Sequence, residues 1–351
     1  MSDSKFDSKD SRSPNRVHII LEFEKPIIEL EKKIGELEAL SKSTGMDLDG
    51  EVRPLKERLG KLVLEVFRNL SPLQVVQVAR HPNRPLTADY LEAVFDDFVE
   101  VHGDRGFRDD RAIAAGFARL GDRRVVVIGH RKGRDTREKM ACYWGCAHPE
   151  GYRKALRLMK LAEKLRLPVV TFIDTPGAYP GIGAEERGQA WAIAESIRDM
   201  SGLRTPVVCT VVGEGGSGGA LGIGVGDHVM MLEHAYYSVI SPEGCAAILW
   251  NDAKRAGDAA KALKLTSRDL LPLRIIDEVI PEPVGGAHRA PGETFARVRE
   301  RLTHHLDRLA ARPVDALLED RYAKFRRIGS VFVEPPARPS REGAEPAAEA
   351  V

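Results

Sequence analysis

Residues 205–227 are Thr-Pro-Val-Val-Cys-Thr-Val-Val-Gly-Glu-Gly-Gly-Ser-Gly-Gly-Ala-Leu-Gly-Ile-Gly-Val-Gly-Asp. An apolar, β-branched run ends in a burst of glycines, and an apolar segment of small residues follows. This order predicts a buried strand, a tight turn and the first turn of a helix. Glycines let a ligand approach the backbone closely, and the N–H groups of a first helical turn carry partial positive charge. The stretch therefore predicts a place that holds an anion, or an oxygen that becomes anionic during a reaction.

Two other interpretations of these glycines compete with the anion site. The pattern Gly213-x-Gly215-x-x-Gly218 fits the dinucleotide fingerprint, and Glu233 follows a further apolar run where the ribose-binding acid would stand. The glycines could also pack a helix against a neighbouring backbone without any ligand. However, seven glycines between Gly213 and Gly224 are hard to explain by packing alone.

A nucleophile elbow is a further interpretation, because Gly215-x-Ser217-x-Gly219 has the required spacing. Asp277 and His288 follow Ser217 in the chain order that this class of hydrolase uses. However, His288 lies in a glycine-rich loop, and no HGGG-type element is present to supply the oxyanion hole. We therefore expect Ser217 to cap the helix rather than to act as a nucleophile.

A second glycine-rich loop follows another apolar run, residues 167–174. The loop, residues 175–188, is Thr-Pro-Gly-Ala-Tyr-Pro-Gly-Ile-Gly-Ala-Glu-Glu-Arg-Gly. Asp174-x-x-Gly177 also matches a nucleoside triphosphatase motif, but no P-loop precedes it to hold a triphosphate. Two strands of the parallel type that each end in a glycine loop and lead into a helix predict an α/β domain.

Positive charge clusters at two places, although the formal net charge of the whole chain is only +1. A third predicted strand, 124–130, ends in the basic loop 131–139, and the helix predicted at 149–166 has a basic side. Each cluster is either a solvated surface or a contact for a polyanionic ligand. The candidate contacts are Arg131, Lys132, Arg134, Arg153 and Lys154.

Five longer motifs occur along the chain. They are Glu-Gly-Tyr-Arg-Lys-Ala-Leu-Arg-Leu-Met (150–159), Phe-Ile-Asp-Thr-Pro-Gly-Ala-Tyr-Pro-Gly (172–181), Gly-Glu-Gly-Gly-Ser-Gly-Gly-Ala (213–220), Tyr-Ser-Val-Ile-Ser-Pro-Glu-Gly-Cys-Ala (237–246) and Ile-Pro-Glu-Pro-Val-Gly-Gly-Ala-His-Arg (280–289). In order and spacing they resemble the carboxyltransferase alpha subunits of multi-subunit, bacterial-type acetyl-CoA carboxylases. The resemblance covers about residues 23–325.

The resemblance implies a crotonase-type (ClpP/crotonase) α/β fold, a spiral of repeated β-β-α units, with an N-terminal helical hairpin. It also implies carboxyl transfer from carboxybiotin to acetyl-CoA, which forms malonyl-CoA for fatty acid biosynthesis. By the same resemblance, the backbone N–H groups of Gly218 and Gly219 hold the ureido oxygen of biotin. The residues expected to line the biotin pocket are Gly177, Ala178, Tyr179, Gly215 and Gly216.

Partners follow from the same resemblance. A beta subunit would carry the second oxyanion hole and a zinc ribbon, in an α2β2 heterotetramer. Biotin would arrive on the biotin carboxyl carrier protein, and biotin carboxylase would supply its carboxyl group. The two basic clusters would then be possible contacts for CoA phosphates or for an acidic carrier domain. We expect this chain to bind no metal and no covalent cofactor. A non-catalytic scaffold and a crotonase-type hydratase that acts alone remain alternatives, although the glycine loops offer the hydratase no obvious acid or base.

The chain divides into four predicted parts. Residues 1–16 and 335–351 are polar or rich in Pro, Ala and Glu, which predicts disorder. Residues 23–86 form a helical hairpin and a linker, with apolar stripes that predict helices at about 25–42 and 51–70. The carboxyltransferase domain spans 87–326 and begins with a helix predicted at 87–102.

Composition fits a globular protein, since 43% of the 351 residues are hydrophobic. Cys142-x3-Cys146-x-His148 offers three metal-ligand types, but a fourth is not evident, so buried or surface thiols are the better interpretation. The charged N-terminus lacks the apolar region of a secretory signal, and no apolar run is long enough to span a membrane. These features predict a cytoplasmic protein.

Overall fold

Apolar runs that the sequence assigns to buried strands form one mixed sheet. The structure is a computed structural model, and it describes residues 19–329. The strands are β1 (Asp96–Glu100), β2 (Ile113–Leu120), β3 (Arg123–His130), β4 (Val169–Thr175), β5 (Val207–Gly216), β6 (His228–Leu232), β7 (Tyr236–Ser238) and β8 (Glu278–Ile280). The ends predicted to be disordered, 1–16 and 335–351, lie outside the described residues.

Helices precede the sheet in the chain and then alternate with its parallel strands. They are α1 (Lys25–Thr44), α2 (Asp49–Arg68), α3 (Pro72–Ala79), α4 (Thr87–Val94), α5 (Thr136–Ala141), α6 (Pro149–Leu165), α7 (Ile182–Glu186), α8 (Gln189–Ser201), α9 (Ser217–Leu221), α10 (Pro242–Trp250), α11 (Ala256–Leu263), α12 (Ser267–Leu270), α13 (Pro291–Ala310) and α14 (Val314–Arg327). Within residues 19–329, none of them combines the length and the apolar character that crossing a membrane requires.

Strand direction changes within the sheet. The strand order is β1-β2-β3-β4-β5-β6-β8, with β1, β2 and β3 antiparallel and the pairs from β3 to β8 parallel. Every residue of β4 and β5 is buried, as expected for parallel strands whose two faces are both covered. This burial explains why their sequences are continuous apolar runs rather than alternating ones.

Strand β5 pairs with two different strands along its length. Residues 208–211 pair with β6, whereas residues 214–216 pair with β7. Strand β5 therefore changes its partner from β6 to β7 at its carboxyl end, as expected for a chain that continues as a spiral beyond the sheet. This same end carries the glycine burst.

The predicted N-terminal helical hairpin is confirmed, and its two helices end within two residues of the predicted limits. Ile27, Val63 and Phe67 are buried in one cluster with Val78 of α3. Met46, at the turn between the helices, is exposed. The base of the hairpin therefore packs on the rest of the chain, and its tip does not.

The predicted helix 87–102 is wrong in its second half. Helix α4 ends at Val94, and residues 96–100 form β1, antiparallel to β2. The strands approach closely because β2 has a glycine here: a Cβ on Gly116 would lie 2.2 Å from the Val99 carbonyl oxygen. The open edge of β2 offers the segment a hydrogen-bonding partner, and this tertiary pairing outweighs its local helical propensity.

Candidate active site

The glycine loops after β4 and β5 lie against each other, because neighbouring parallel strands end at the same edge of the sheet. A Cβ on Gly216 would lie 2.1 Å from the Pro176 carbonyl oxygen, and one on Gly219 would lie 2.5 Å from the Ala178 nitrogen. Any residue other than glycine would therefore force the two backbones apart. Gly215, one position earlier, still pairs with β4 in the sheet. The sequence predicted the two loops separately, and the structure brings them together.

Helix α9 begins at the predicted glycines. The amides of Gly218 and Gly219 lie in its first turn, where a helix has no carbonyl acceptors of its own. Gly219 is buried, Gly218 is half-buried and Ser217 is exposed. Ser217 has a left-handed φ of 54°, and Gly216 occupies the N-cap position without a side-chain cap. The expectation that Ser217 caps the helix is therefore wrong.

Hydrogen bonds to the segment before α6 hold the first glycine loop. The Thr175 hydroxyl oxygen lies 2.8 Å from both the Gly145 and the Gly177 carbonyl oxygens. The Tyr179 amide donates to the Ala147 carbonyl oxygen over 3.0 Å. Gly177 has a φ of 154°, which side chains rarely allow. The loop is therefore fixed by a neighbouring segment as well as by its own turn.

The Tyr179 side chain belongs to an aromatic cluster. Its ring stacks on the His148 ring with centroids 4.1 Å apart, and it meets the Tyr143 ring at a steep angle at 5.3 Å. The Gln189 side-chain amide donates to the Tyr179 carbonyl oxygen over 2.9 Å. Tyr179 is thus held by packing while it remains half-exposed at the loop.

A network of buried charges lies directly behind the glycine loops. The ammonium group of Lys132, just after β3, lies 2.7 Å from the Asp174 carboxylate and 2.5 Å from the Glu214 carboxylate. Arg80 and the Tyr236 hydroxyl each donate to Glu214 over 2.7 Å. Burial alone would raise the pKa of Glu214, but Lys132 and Arg80 lower it to about 2. Glu214 is therefore ionised at neutral pH.

Sequence reasoning missed Arg80, Asp174 and Glu214 as residues of this site. A usable signal was present, because Asp174 and Glu214 each follow a buried apolar run and directly precede the glycine loop. An acid is costly to bury without a partner. Two acids at equivalent places therefore indicate a cation nearby, although not which one.

The basic loop after β3 lines a cavity of about 540 Å³. Arg131 pairs with Glu100 at 2.9 Å, and Arg134 pairs with Asp89 at 2.5 Å. The loop is also shorter than predicted, because α5 begins at Thr136. The cavity therefore presents mixed charge, and two of the arginines that line it, Arg131 and Arg134, already have acidic partners.

The basic side of α6 differs from the solvated surface considered above. The Lys154 side chain is fully buried, with its ammonium group 2.7 Å from the Asp109 carboxylate. Arg153 pairs with the buried Asp104 at 2.8 Å. Both cations tie the loop before β2 to α6. A ligand could reach the Lys154 ammonium group only if this ion pair opened.

An apolar groove of about 420 Å³ begins beside Ser217 and Gly218. Most of its lining is aliphatic or aromatic, and Leu221, Tyr237 and Phe325 are among the lining side chains. An apolar group in this groove would lie next to the first turn of α9. The groove and the charged cavity therefore have opposite chemical character.

Contacts elsewhere account for the residues of the competing interpretations. Asp277 pairs with Lys324 at 2.8 Å, and the His288 ring nitrogen lies 3.2 Å from the Glu24 carboxylate. Neither is placed as a triad partner of Ser217. Glu233, the acid of the dinucleotide interpretation, accepts a hydrogen bond from the Glu282 amide over 3.2 Å and is therefore already engaged.

Two clusters among the described residues combine side chains that can bind metals. They are His228 with Glu278 and His305, and Glu24 with His81 and His288. In the first cluster, Arg301 already donates to both carboxylate oxygens of Glu278. In the second, both ring nitrogens of His81 are engaged, with the Asn83 amide and the Ile19 carbonyl oxygen. Both clusters have internal partners that compete with an ion.

Comparison with known sequences places these features in context. A family model described as acetyl co-enzyme A carboxylase carboxyltransferase-like matches residues 20–329. The acetyl-coenzyme A carboxylase carboxyl transferase subunit alpha of Thermus thermophilus is 56% identical over 315 residues, which cover 90% of this chain and 99% of that protein. The protein of the same name from Rhodopirellula baltica is 58% identical over 315 residues, covering 90% of this chain and 98% of that protein.

Solved structures with a similar fold include a transcarboxylase and a decarboxylase. Transcarboxylase 12S, with methylmalonyl-coenzyme A and methylmalonic acid bound, aligns with a TM-score of 0.54 and 19% identity over 70% of this chain and 46% of that chain. A Pseudomonas malonate decarboxylase hetero-tetramer in complex with coenzyme A aligns with a TM-score of 0.52 and 16% identity over 64% of this chain and 89% of that chain. These likenesses concern the fold alone, and they confirm the predicted crotonase-type α/β architecture.

Proposed function

Because the chain belongs to the family of acetyl-CoA carboxylase carboxyltransferase alpha subunits, we propose how its two glycine loops take part in that reaction. The enzyme transfers a carboxyl group from carboxybiotin to acetyl-CoA and forms malonyl-CoA, the first committed step of fatty acid biosynthesis. The observation that supports a role for the loops is their contact at the first turn of α9, where backbone N–H groups lack helical acceptors.

Carboxyl transfer generates two oxyanions. Loss of CO2 from carboxybiotin places negative charge on the ureido oxygen, and removal of a methyl proton from acetyl-CoA places it on the thioester oxygen. The amides of Gly218 and Gly219 stabilise the ureido oxyanion, and one such donor contributes roughly 3–4 kcal/mol in comparable sites. The ureido group can itself accept the methyl proton. This role requires no acidic or basic side chain from the protein next to Ser217.

The pocket for biotin is the space bordered by the two loops. Gly177, Ala178 and Tyr179 form its wall on the side of β4, and Gly215 and Gly216 form it on the side of β5. Apart from Tyr179, the side chains here are small or absent, so a flat bicyclic ring can approach both backbones. The residues that contact CoA or the carrier are Arg131, Arg134 and Arg153, whose side chains are partly exposed. Lys132 and Lys154 are instead paired with internal carboxylates.

The partners that complete the reaction are a beta subunit, the biotin carboxyl carrier protein and biotin carboxylase. The beta subunit supplies the thioester oxyanion hole and carries the zinc ribbon, in an α2β2 assembly. Biotin remains covalently attached to the carrier and acts here as a co-substrate. A helical hairpin and linker, 23–86, and a carboxyltransferase domain, 87–326, are the units that we propose for this chain. The cytoplasmic location stays a prediction.

Reconstitution tests the proposal. The full chain is assayed for carboxyl transfer from malonyl-CoA to free biotin, alone and after co-purification with a beta subunit. We expect activity only from the pair, because one oxyanion hole stabilises only one of the two oxyanions that the reaction forms. Transfer by the isolated chain would overturn the shared site. Inactivity of the assembled pair, or hydration of an enoyl-CoA by the chain alone, would favour the scaffold or the hydratase.

A further inference from the structure

The pairing of β4 with β5 shifts register where the glycine loops begin. Ile173 pairs with Val211, but Thr175 pairs with Gly215, so β5 advances by four residues while β4 advances by two. The extra residues of β5 cannot all find partners in a regular ladder. Residues 214–216 still pair with β7 on one side, but on the side of β4 another group must take the place of the missing backbone partner.

The Asp174 carboxylate takes that place. Its Oδ1 atom accepts a hydrogen bond from the Glu214 amide over 2.9 Å, and the same oxygen lies 2.7 Å from the Lys132 ammonium group. A Cβ on Gly213 would lie 2.4 Å from this oxygen. A side chain on one strand thus replaces the missing backbone partner of the other, and Gly213 leaves it the space to do so.

Lys132 keeps two carboxylates together at this point. Its ammonium group bridges Asp174 of β4 and Glu214 of β5, and its own backbone follows β3. The two acidic side chains are at most 9% exposed, so water screens their mutual repulsion poorly. Without the lysine charge, Asp174 and Glu214 would repel each other where the strands must stay in contact.

We propose that Lys132 is a positioning residue, which holds the shifted register of β4 and β5 and thereby sets the distance between the Gly177–Ala178 backbone and the amides of Gly218 and Gly219. This inference rests on the proposed function of the loops. It assigns to Lys132 a role that differs from the ligand contact expected from its basic loop. Arg80 supports the same arrangement by a second ion pair to Glu214.

A loss of positioning has a distinct kinetic signature. Lys132 acts on the loops that face the transition state, and its ammonium group is occupied by two carboxylates. Substitution should therefore lower kcat and leave KM for malonyl-CoA nearly unchanged. A displacement of about 1 Å at a reacting centre can reduce the rate by about a hundredfold, so we expect Lys132→Met to lower kcat by about tenfold to a hundredfold.

Lys324→Met is the matched control. The Lys324 side chain is 15% exposed, as is that of Lys132, and its ammonium group lies 2.8 Å from Asp277 and 2.7 Å from the Gly226 carbonyl oxygen. This lysine binds near the amino ends of β6 and β8, away from the glycine loops. Its loss should reduce stability but leave kcat of the folded complex within about twofold of wild type.

The decisive comparison adds Asp174→Asn to Lys132→Met. The asparagine oxygen can still accept a hydrogen bond from the Glu214 amide, but the repulsion between two carboxylates is gone, so kcat should recover to within about threefold of wild type. All variants are assayed as assembled complexes with the beta subunit, using malonyl-CoA and free biotin.

Each outcome has one meaning. Three results would overturn the positioning role while the wild-type activity stands. They are equal kcat in Lys132→Met and Lys324→Met, a defect of Lys132→Met that is confined to KM, and a folded double variant whose kcat does not recover. An inactive wild-type complex instead overturns the proposed function, and the positioning role with it. If Lys132→Met alone does not assemble, kcat of the double variant decides by the same threshold.

Discussion

At its amino end, β5 begins with the Val207 amide donating to the Asp227 carboxylate over 2.7 Å, and Arg321 binds both oxygens of that carboxylate. At the carboxyl end, the Glu214 amide donates to the Asp174 carboxylate, which Lys132 neutralises. Both ends therefore show the same sequence of contacts: a strand amide, a buried carboxylate and a cation.

The two ends differ in what surrounds this contact. Near the amino end, the ladder between β4 and β5 is regular from Val169 to Ile173, and the carboxylate adds to backbone bonds that already fix the strand. At the carboxyl end the register shifts, and the carboxylate takes the place of a backbone bond. The same ion-pair chemistry thus stabilises the fold at one end and sets the geometry of a site at the other.

The amino end should show the largest effect on stability. Arg321→Met leaves the Asp227 carboxylate, whose side chain is only 4% exposed, buried without its cation. Breaking such a pair costs about 3–5 kcal/mol of the free energy of unfolding, which urea titration of the purified chain can measure. The kcat of the folded complex should change little. An unchanged unfolding midpoint, or a large loss of kcat in folded complex, would remove the contrast between the two ends.

At the carboxyl end, Gly219→Val should act mainly on turnover. Its Cβ would collide with the backbone around Ala178, 2.5 Å away, and would move the amides of α9. The expected loss of kcat in the assembled complex is about a hundredfold to a thousandfold.

Gly218→Ala is the control for this substitution, because a Cβ there would lie 3.7 Å from the Ile193 side chain, an ordinary contact. It keeps the backbone N–H group and should retain kcat within a few-fold of wild type. Comparable losses in Gly218→Ala and Gly219→Val would show that the contact between the loops is not what matters.

Acid should weaken the carboxyl end through Glu214. The pKa of this carboxyl group is lowered from 4.5 to about 2, because Lys132 and Arg80 outweigh the effect of its burial. A lowered pKa stabilises the folded state fully above pH 4.5, and this contribution is lost as the pH falls towards 2. Over that range, the free energy of unfolding should fall less steeply in Glu214→Gln than in wild type. Equal slopes in urea titrations at several pH values would argue against this ion pair.

The smallest effect is expected at Arg134 in the basic loop after β3, outside the buried contacts at the carboxyl end of β5. Arg134 is about half-exposed and already paired with Asp89, so an exposed pair of this kind contributes only about 0.2–1 kcal/mol. Arg134→Glu should raise KM for malonyl-CoA by no more than about fivefold, and added salt should reproduce part of this in wild type. A KM unchanged both by salt and by the substitution would leave this arginine without a role in binding.

Local pattern was sufficient for some of these features. The continuous apolar runs predicted β4 and β5 because burial on both faces leaves no polar alternation, and the stripes of α1 and α2 predicted the hairpin. Pattern failed for the second half of the helix predicted at 87–102, where an open strand edge competes with helical propensity. It also failed for Lys154, since a basic helix face does not reveal that acids on a distant loop will bury it.

The amino-acid sequence by itself determined the strand, turn and helix order at residues 205–227, the second glycine loop and the family resemblance, because these depend on residue type and short spacing. Only the tertiary structure decided that Gly216 and Gly219 touch the other loop, and that Lys132 joins Asp174 to Glu214. Contacts between residues that are 40 or more positions apart follow from strand order and register, and these are properties of the whole sheet rather than of any one segment.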